Sequence, residues 1–232
     1  MSLSDDEQFD QFKSFAKKYG SAIISGILIA LIAFFGWEYW QKKTLAEAQS
    51  QTAKVQKLMD EANVLAGQPN AFATISESAD KIVKEDANSV HAIQTQFLLA
   101  KLAYDKDDYA AAEKALKKVE NSAVKDAGLV QIVKLRLADA QLAQKKYDEA
   151  LKTLANVTEP TFKATVDELR GDIFVAKKDT ESARKAYQSA WDSLIERKKE
   201  RQLLQIKLES VGVLVDDPEI ERPILDTNVD ES

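Results

Sequence analysis

Three stretches of this 232-residue chain repeat one pattern: "KDDYAAAEKAL" (106–116), "QKKYDEALKTL" (144–154) and "KKDTESARKAY" (177–187). Aligned on Tyr109, Tyr147 and Thr180, the copies lie 38 and 33 residues apart. Three positions after each anchor comes Ala112, Ala150 or Ala183, and four beyond that Leu116, Leu154 or Tyr187. Nine positions before each anchor sits Ala100, Ala138 or Gly171. A weaker copy, Ser76, Ala79 and Val83, precedes the first set by 33 residues. A period this short constrains the fold severely. Each copy is a unit too small to bury its apolar face alone, so the copies must stack.

The small residues have a steric reason to recur. They fall where two helices of one hairpin cross, and a larger side chain would push the backbones apart. The anchor aromatic then fills the wedge beside the turn. This resembles the tetratricopeptide pattern, a helix–turn–helix of about 34 residues. The chain departs from it in three ways: the tight-turn glycine is absent, the first-helix tryptophan position is not Trp, and the third anchor is Thr180. Helices are expected near 45–66, 71–85, 89–105, 108–120, 127–144, 147–156, 161–177, 180–198 and 200–210. Pro160 falls between two of them, where its missing N–H costs nothing. The segment "DDPEIERPILDTNVDES" (216–232) carries seven acids against one arginine and reads as disordered.

Composition agrees with an all-α fold and removes several functions. Seven glycines and four prolines leave few helix breakers, and no long Val/Ile/Thr alternation argues for strands. A net charge of −6 lacks the basic surplus of a nucleic-acid binder. With no cysteine there is no disulfide, thiolate catalysis or cysteine metal site. His91, the only histidine, reads as a surface or capping residue at a helix start. No GxxxxGK[ST], GxGxxG or HExxH motif is present, and Asp107/Asp108 and Asp216/Asp217 sit in a turn and a tail. Acid–base catalysis needs positioned carboxylates with separated pKa values. The sequence offers no enzyme, metal or cofactor site.

Ahead of the repeats, Gly20 to Trp37 reads "GSAIISGILIALIAFFGW", eighteen residues without a charge. As a helix this run rises about 27 Å, close to the hydrocarbon thickness of a bilayer. A secretory signal is shorter and ends in small residues. Here the run ends in Phe34, Phe35, Trp37, Tyr39 and Trp40, and the nearest small-residue pattern, "LAEA" (45–48), lies beyond Lys42 and Lys43. The run therefore reads as an uncleaved anchor, with Trp37, Tyr39 and Trp40 as its interfacial belt. Lys13, Lys17 and Lys18 before it nearly balance Lys42, Lys43, Lys54 and Lys57 after it, so charge counting leaves orientation open. Ala22, Gly26 and Ala30 recur on one helix face, where small residues admit a second helix. Their abundance in membrane helices is the simpler explanation.

The expected layout is 1–19 as a short cytoplasmic segment and 20–40 as the transmembrane helix. A linker helix and first degenerate repeat helices occupy 41–88, repeats and a terminal helix 89–211, and the acidic tail 212–232. First helices of such hairpins line a concave face. The register allows Phe97, Lys101 and Tyr104 to face it, with Leu135, Asp139 and Leu142 from the next repeat and Glu168 and Asp172 from the third; packing or ordinary solvated surface is the simpler explanation for any one of them.

The whole pattern resembles the YfgM family, the ancillary subunit of the SecYEG translocon. The likeness starts at "GWEYW" (36–40) and is strongest over "LRLADAQLAQKKYDEALKTL" (135–154) and "VDELRGDIFVAKKDTESARKAY" (166–187). "LLQIKLESV" (203–211) resembles the family's C-terminal end, whereas the extension after Asp216 departs from it. The resemblance implies a single-pass protein of the bacterial inner membrane with a cytoplasmic N-terminus and a periplasmic repeat domain. It further implies association with the translocon and with a PpiD-like membrane-anchored chaperone, and the transfer of unfolded, newly translocated clients to periplasmic chaperones. It carries no catalytic residue. An alternative from another class is a membrane-anchored regulator of an envelope stress response. Its short cytoplasmic segment, with Phe9, Phe12, Phe15 and Tyr19 at helical spacing, would bind the partner.

Overall fold

Four helices among the described residues start on side chains that hydrogen-bond to free backbone N–H groups. Ser89 accepts from the Ala92 N–H at 3.1 Å and Asp108 from the Ala111 N–H at 2.9 Å. Asp126 does the same for Leu129 and Asp179 for Ser182. The structure, a computed structural model, describes residues 5–68, 70–196 and 202–215, without the side chains of 5–12, 14–16, 22, 23 and 196. Among these, the helices are α1 (Asp5–Val64), α2 (Ala71–Glu85), α3 (Val90–Tyr104), α4 (Tyr109–Lys117) and α5 (Ala127–Ala143). They continue with α6 (Tyr147–Ala155), α7 (Lys163–Ala176), α8 (Thr180–Glu196) and α9 (Gln202–Ser210). A single 3-10 turn, Pro160–Phe162, leads into α7, and no strand occurs among the described residues. The acidic segment from Asp216 lies outside them, as do the side chains of Phe9, Phe12, Phe15 and Ala22.

The chain divides into two compact units, Met1–Gln56 and Lys57–Ser232. The first holds a helix long and apolar enough to cross a membrane. Its Ile24, Ile27, Ile29, Ile32 and Phe35 are all exposed, as the lipid-facing surface of a span must be.

In the second unit each helix from α2 to α8 packs on the next along the chain, α8 packs on α9, and α5 also meets α7. The hairpins α3/α4, α5/α6 and α7/α8 end their first helices alike. The N–H groups of Asp108, Lys146 and Asp179 bond to the carbonyls of Ala103, Gln141 and Phe174, each five residues back. Those of Asp107, Lys145 and Lys178 bond to carbonyls three back. This is the Schellman closure, which needs a left-handed residue. Asp107, Lys145 and Lys178 take that conformation at φ 56°, 63° and 63°. The missing turn glycine is thus replaced by residues held left-handed at a cost of about 1–2 kcal/mol each.

The repeat positions form the core. Ala112, Ala150, Ala183, Leu116 and Leu154 are fully buried, and Tyr187, Ala100 and Ala138 nearly so. Among the described residues, three apolar clusters run along this unit. One joins Ile93, Leu116 and Leu137; the next Leu135, Leu154 and Ile173; the last Tyr187, Trp191, Leu204 and Leu208. Of the anchors, Tyr109 and Tyr147 are half-buried, whereas Thr180 is exposed and fills no wedge. The fold class is all-α, an N-terminal transmembrane helix followed by a tetratricopeptide-like helical-hairpin solenoid.

Candidate functional site: the groove of the first helices

Because side chains on a helix recur at three and four residues, the inward faces of α3, α5 and α7 bring distant positions together. Leu135, Asp139, Glu168 and Asp172 line one open cavity of about 310 Å³. Arg136, Thr165, Leu169 and Lys207 complete its wall. Two more residues of the expected groove connect to this cavity from α3. The Tyr104 hydroxyl donates to Asp139 Oδ2 at 2.9 Å, and the Arg136 guanidinium lies over the Phe97 ring at 4.5 Å. The other two do not line it. Lys101 is exposed and paired with Asp105 at 3.2 Å, and half-buried Leu142 packs in the cluster of Leu154 and Ile173.

The polar groups of the groove are largely committed to one another. Lys207 Nζ, reaching in from α9, bonds to Glu168 at 2.6 Å and to Asp172 at 2.9 Å. Burial works against the charge of Lys207, but these carboxylates outweigh it and raise its pKa. The Tyr187 hydroxyl donates to the second oxygen of Asp172 at 2.7 Å. Burial, with Asp139 as acceptor and neighbouring charge, raises the Tyr104 pKa well above its ordinary range. Burial does the same for Tyr187, assisted by Asp172. Both phenols therefore stay protonated and act as fixed donors.

Arg136, Thr165, Leu169 and Lys207 were not read from the sequence. The first three carry a local signal, because 165, 168/169 and 172 share one helical face and Arg136 adjoins Leu135. Lys207 carries none, since its helix lies outside the repeats.

Elsewhere the expected positions are separate. Gly26, Ala30, Trp37, Tyr39 and Trp40 are exposed on α1, and the rings of Trp37 and Trp40 lie 5.7 Å apart. His91 sits half-buried in the first turn of α3. Among the described residues no group of three or more His, Cys, Asp or Glu could hold a metal ion. The groove joins an apolar wall, Leu135 and Leu169, to charges paired across α7 and α9.

Comparison with known proteins agrees with this architecture. Over 209 residues the chain is 28% identical to a protein of Neisseria gonorrhoeae named ancillary SecYEG translocon subunit, covering 90% of this chain and 98% of that one. Proteins of the same name from Haemophilus influenzae and Escherichia coli are each 29% identical. The former match covers 90% of this chain and 98% of the relative, the latter 82% and 86%. These relatives are the group whose pattern the sequence resembles. No solved structure matches the chain. The family model described as a tetratricopeptide repeat-like domain matches residues 13–213, and the chain belongs to that family.

Proposed function

We propose that this protein is a non-catalytic, membrane-anchored ancillary subunit of the SecYEG translocon. In this reading its repeat domain scaffolds the transfer of newly translocated proteins to periplasmic chaperones. The observation that carries it is the pairing of a membrane-spanning helix with an open groove on one chain, whose sequence aligns along 98% of the length of two relatives named as translocon subunits. The proposed topology has residues 1–19 in the cytoplasm, 20–40 across the inner membrane, and the linker and repeats of 41–211 in the periplasm with 212–232. The face of Ala22, Gly26 and Ala30 docks against a neighbouring membrane helix, where small residues permit close approach. The belt of Trp37, Tyr39 and Trp40 sets the depth of the span. The groove takes a PpiD-like membrane-anchored chaperone or an unfolded client.

A groove suits this role because it offers a long, open surface to partners of varied sequence. Crosslinking followed by purification of the full-length protein from native membranes tests the proposal. Co-recovery of the translocon and a membrane-anchored chaperone is expected. Recovery of neither overturns it.

A further inference from the structure

We infer that Arg136 is the recognition point of the groove and receives a carboxylate from an acidic segment of a partner protein, beside a large aliphatic side chain. The inference rests on the groove being a partner-binding surface and adds the chemistry of what it takes. It follows from which charges are already used. Lys207 lies between Glu168 and Asp172, and Tyr187 takes the remaining bond to Asp172. Asp139 accepts from Tyr104, and Lys101 pairs with Asp105. Among the described residues, Arg136 makes no hydrogen bond or ion pair. It lines the same cavity as these groups.

Its geometry suits an anion. The guanidinium lies over the face of the Phe97 ring at 4.5 Å. The ring attracts the cation without using a hydrogen bond, so the forked N–H donors stay available to match a carboxylate with two parallel bonds. The ring also holds the long side chain in place, so less rotamer freedom is lost on binding. Leu135 and Leu169 line the cavity with it, and the roughly 310 Å³ admits an aliphatic side chain next to the carboxylate. A basic segment would meet Glu168 and Asp172 already paired with Lys207.

The test uses the full-length protein in phospholipid nanodiscs and fluorescence anisotropy. The probes are a fluorescein-labelled peptide with the core Ser-Glu-Leu-Glu-Ser and its Ser-Gln-Leu-Gln-Ser counterpart. The acidic peptide is expected to bind about tenfold more tightly, the worth of a charge-assisted pair of bonds. Arg136→Gln should abolish that preference, Arg136→Lys should keep part of it, and the far-UV melting transition should stay in place in both. A preference that survives Arg136→Gln overturns the inference. Equal binding of the two peptides also overturns it, yet leaves the groove as a binding surface. Failure of both peptides to bind overturns the groove reading as well. Acidic binding that emerges only on deleting residues 216–232 would put the chain's own acidic segment on Arg136 and overturn the assignment to a partner.

Discussion

The contact between Gly171 and Tyr187 shows how one repeat adjusts to its own sequence. The equivalent pairs are Ala100 with Leu116 and Ala138 with Leu154, each separated by 16 residues, as 171 and 187 are. In the third hairpin the partner is an aromatic ring, and the crossing residue has shrunk to glycine. A Cβ at 171 would overlap Cδ1 and Cε1 of Tyr187 and come within 2.8 Å of Cζ. Both residues are buried in a packed core, and the ring is tied to Asp172 through its hydroxyl. Gly171→Ala should therefore destabilise the protein by about 1–3 kcal/mol, overpacking outweighing the better helix propensity of alanine. With Tyr187→Leu in place, the same Gly171→Ala change should become neutral or stabilising by up to about 1 kcal/mol. Denaturant unfolding of the four proteins in a double-mutant cycle measures this change of sign. A loss in both backgrounds would show that the crossing, not the ring, demands glycine. The requirement for a small residue was legible in the sequence. The reason for glycine in this copy was not, because it depends on where a side chain from the next helix ends.

Between elements, Glu113 ties α4 to the hairpin that follows. Its buried carboxylate binds Lys117 at 2.6 Å and Lys146 at 2.7 Å, with Gln144 at 2.8 Å. Gln144 also donates to the Tyr109 carbonyl, so the turn of one hairpin is fastened to the start of another helix. Burial opposes ionisation of Glu113, but the bonds from Lys117, Lys146 and Gln144 outweigh it and hold its pKa at about 2, below the ordinary 4.5. A depressed carboxyl pKa contributes stability that is complete above the unfolded value and is lost as pH falls through the folded one. The contribution should fade between about pH 4.5 and pH 2. It is on the order of 2 kcal/mol, since the lysines reach the site from solvent and are partly screened. Glu113→Gln should flatten this stretch of the stability–pH curve, followed by chemical denaturation at stepped pH. An unchanged acid limb would mean that other carboxylates carry it. The helices themselves were legible because their signals are local: the caps Ser89, Asp108 and Asp126, and the repeated alanines. Half of the expected groove lines the cavity for the same reason, as Leu135, Asp139, Glu168 and Asp172 follow from helical register. The availability of Arg136 was not legible. It is a property of the surrounding pairs, and one of them depends on Lys207, which closes on residues 35 and 39 positions earlier.

At the scale of the whole molecule, the N-terminal apolar helix decides whether the repeat domain is held at a membrane or free of it. A cleaved signal and a permanent anchor share length and hydropathy, so the distinction rests on what surrounds the run. The nearest small residues, Ala46 and Ala48, lie inside α1 and not in a loop. Proteolysis favours exposed loops over paired helical backbone, because a helix must first be opened. Trp37, Tyr39 and Trp40 are exposed within about one turn of α1, as an interfacial belt requires. The chain isolated from membranes should therefore retain residues 1–48. It should also stay with the membrane pellet through alkaline carbonate extraction, which strips proteins held only by polar contacts. Intact-mass measurement and N-terminal sequencing check the first expectation, and fractionation checks the second. A soluble product beginning near residue 49 would remove the anchor and the small-residue face together. On the function proposed above, the groove would then have to meet its partners by diffusion, without the effective concentration that tethering to one membrane supplies.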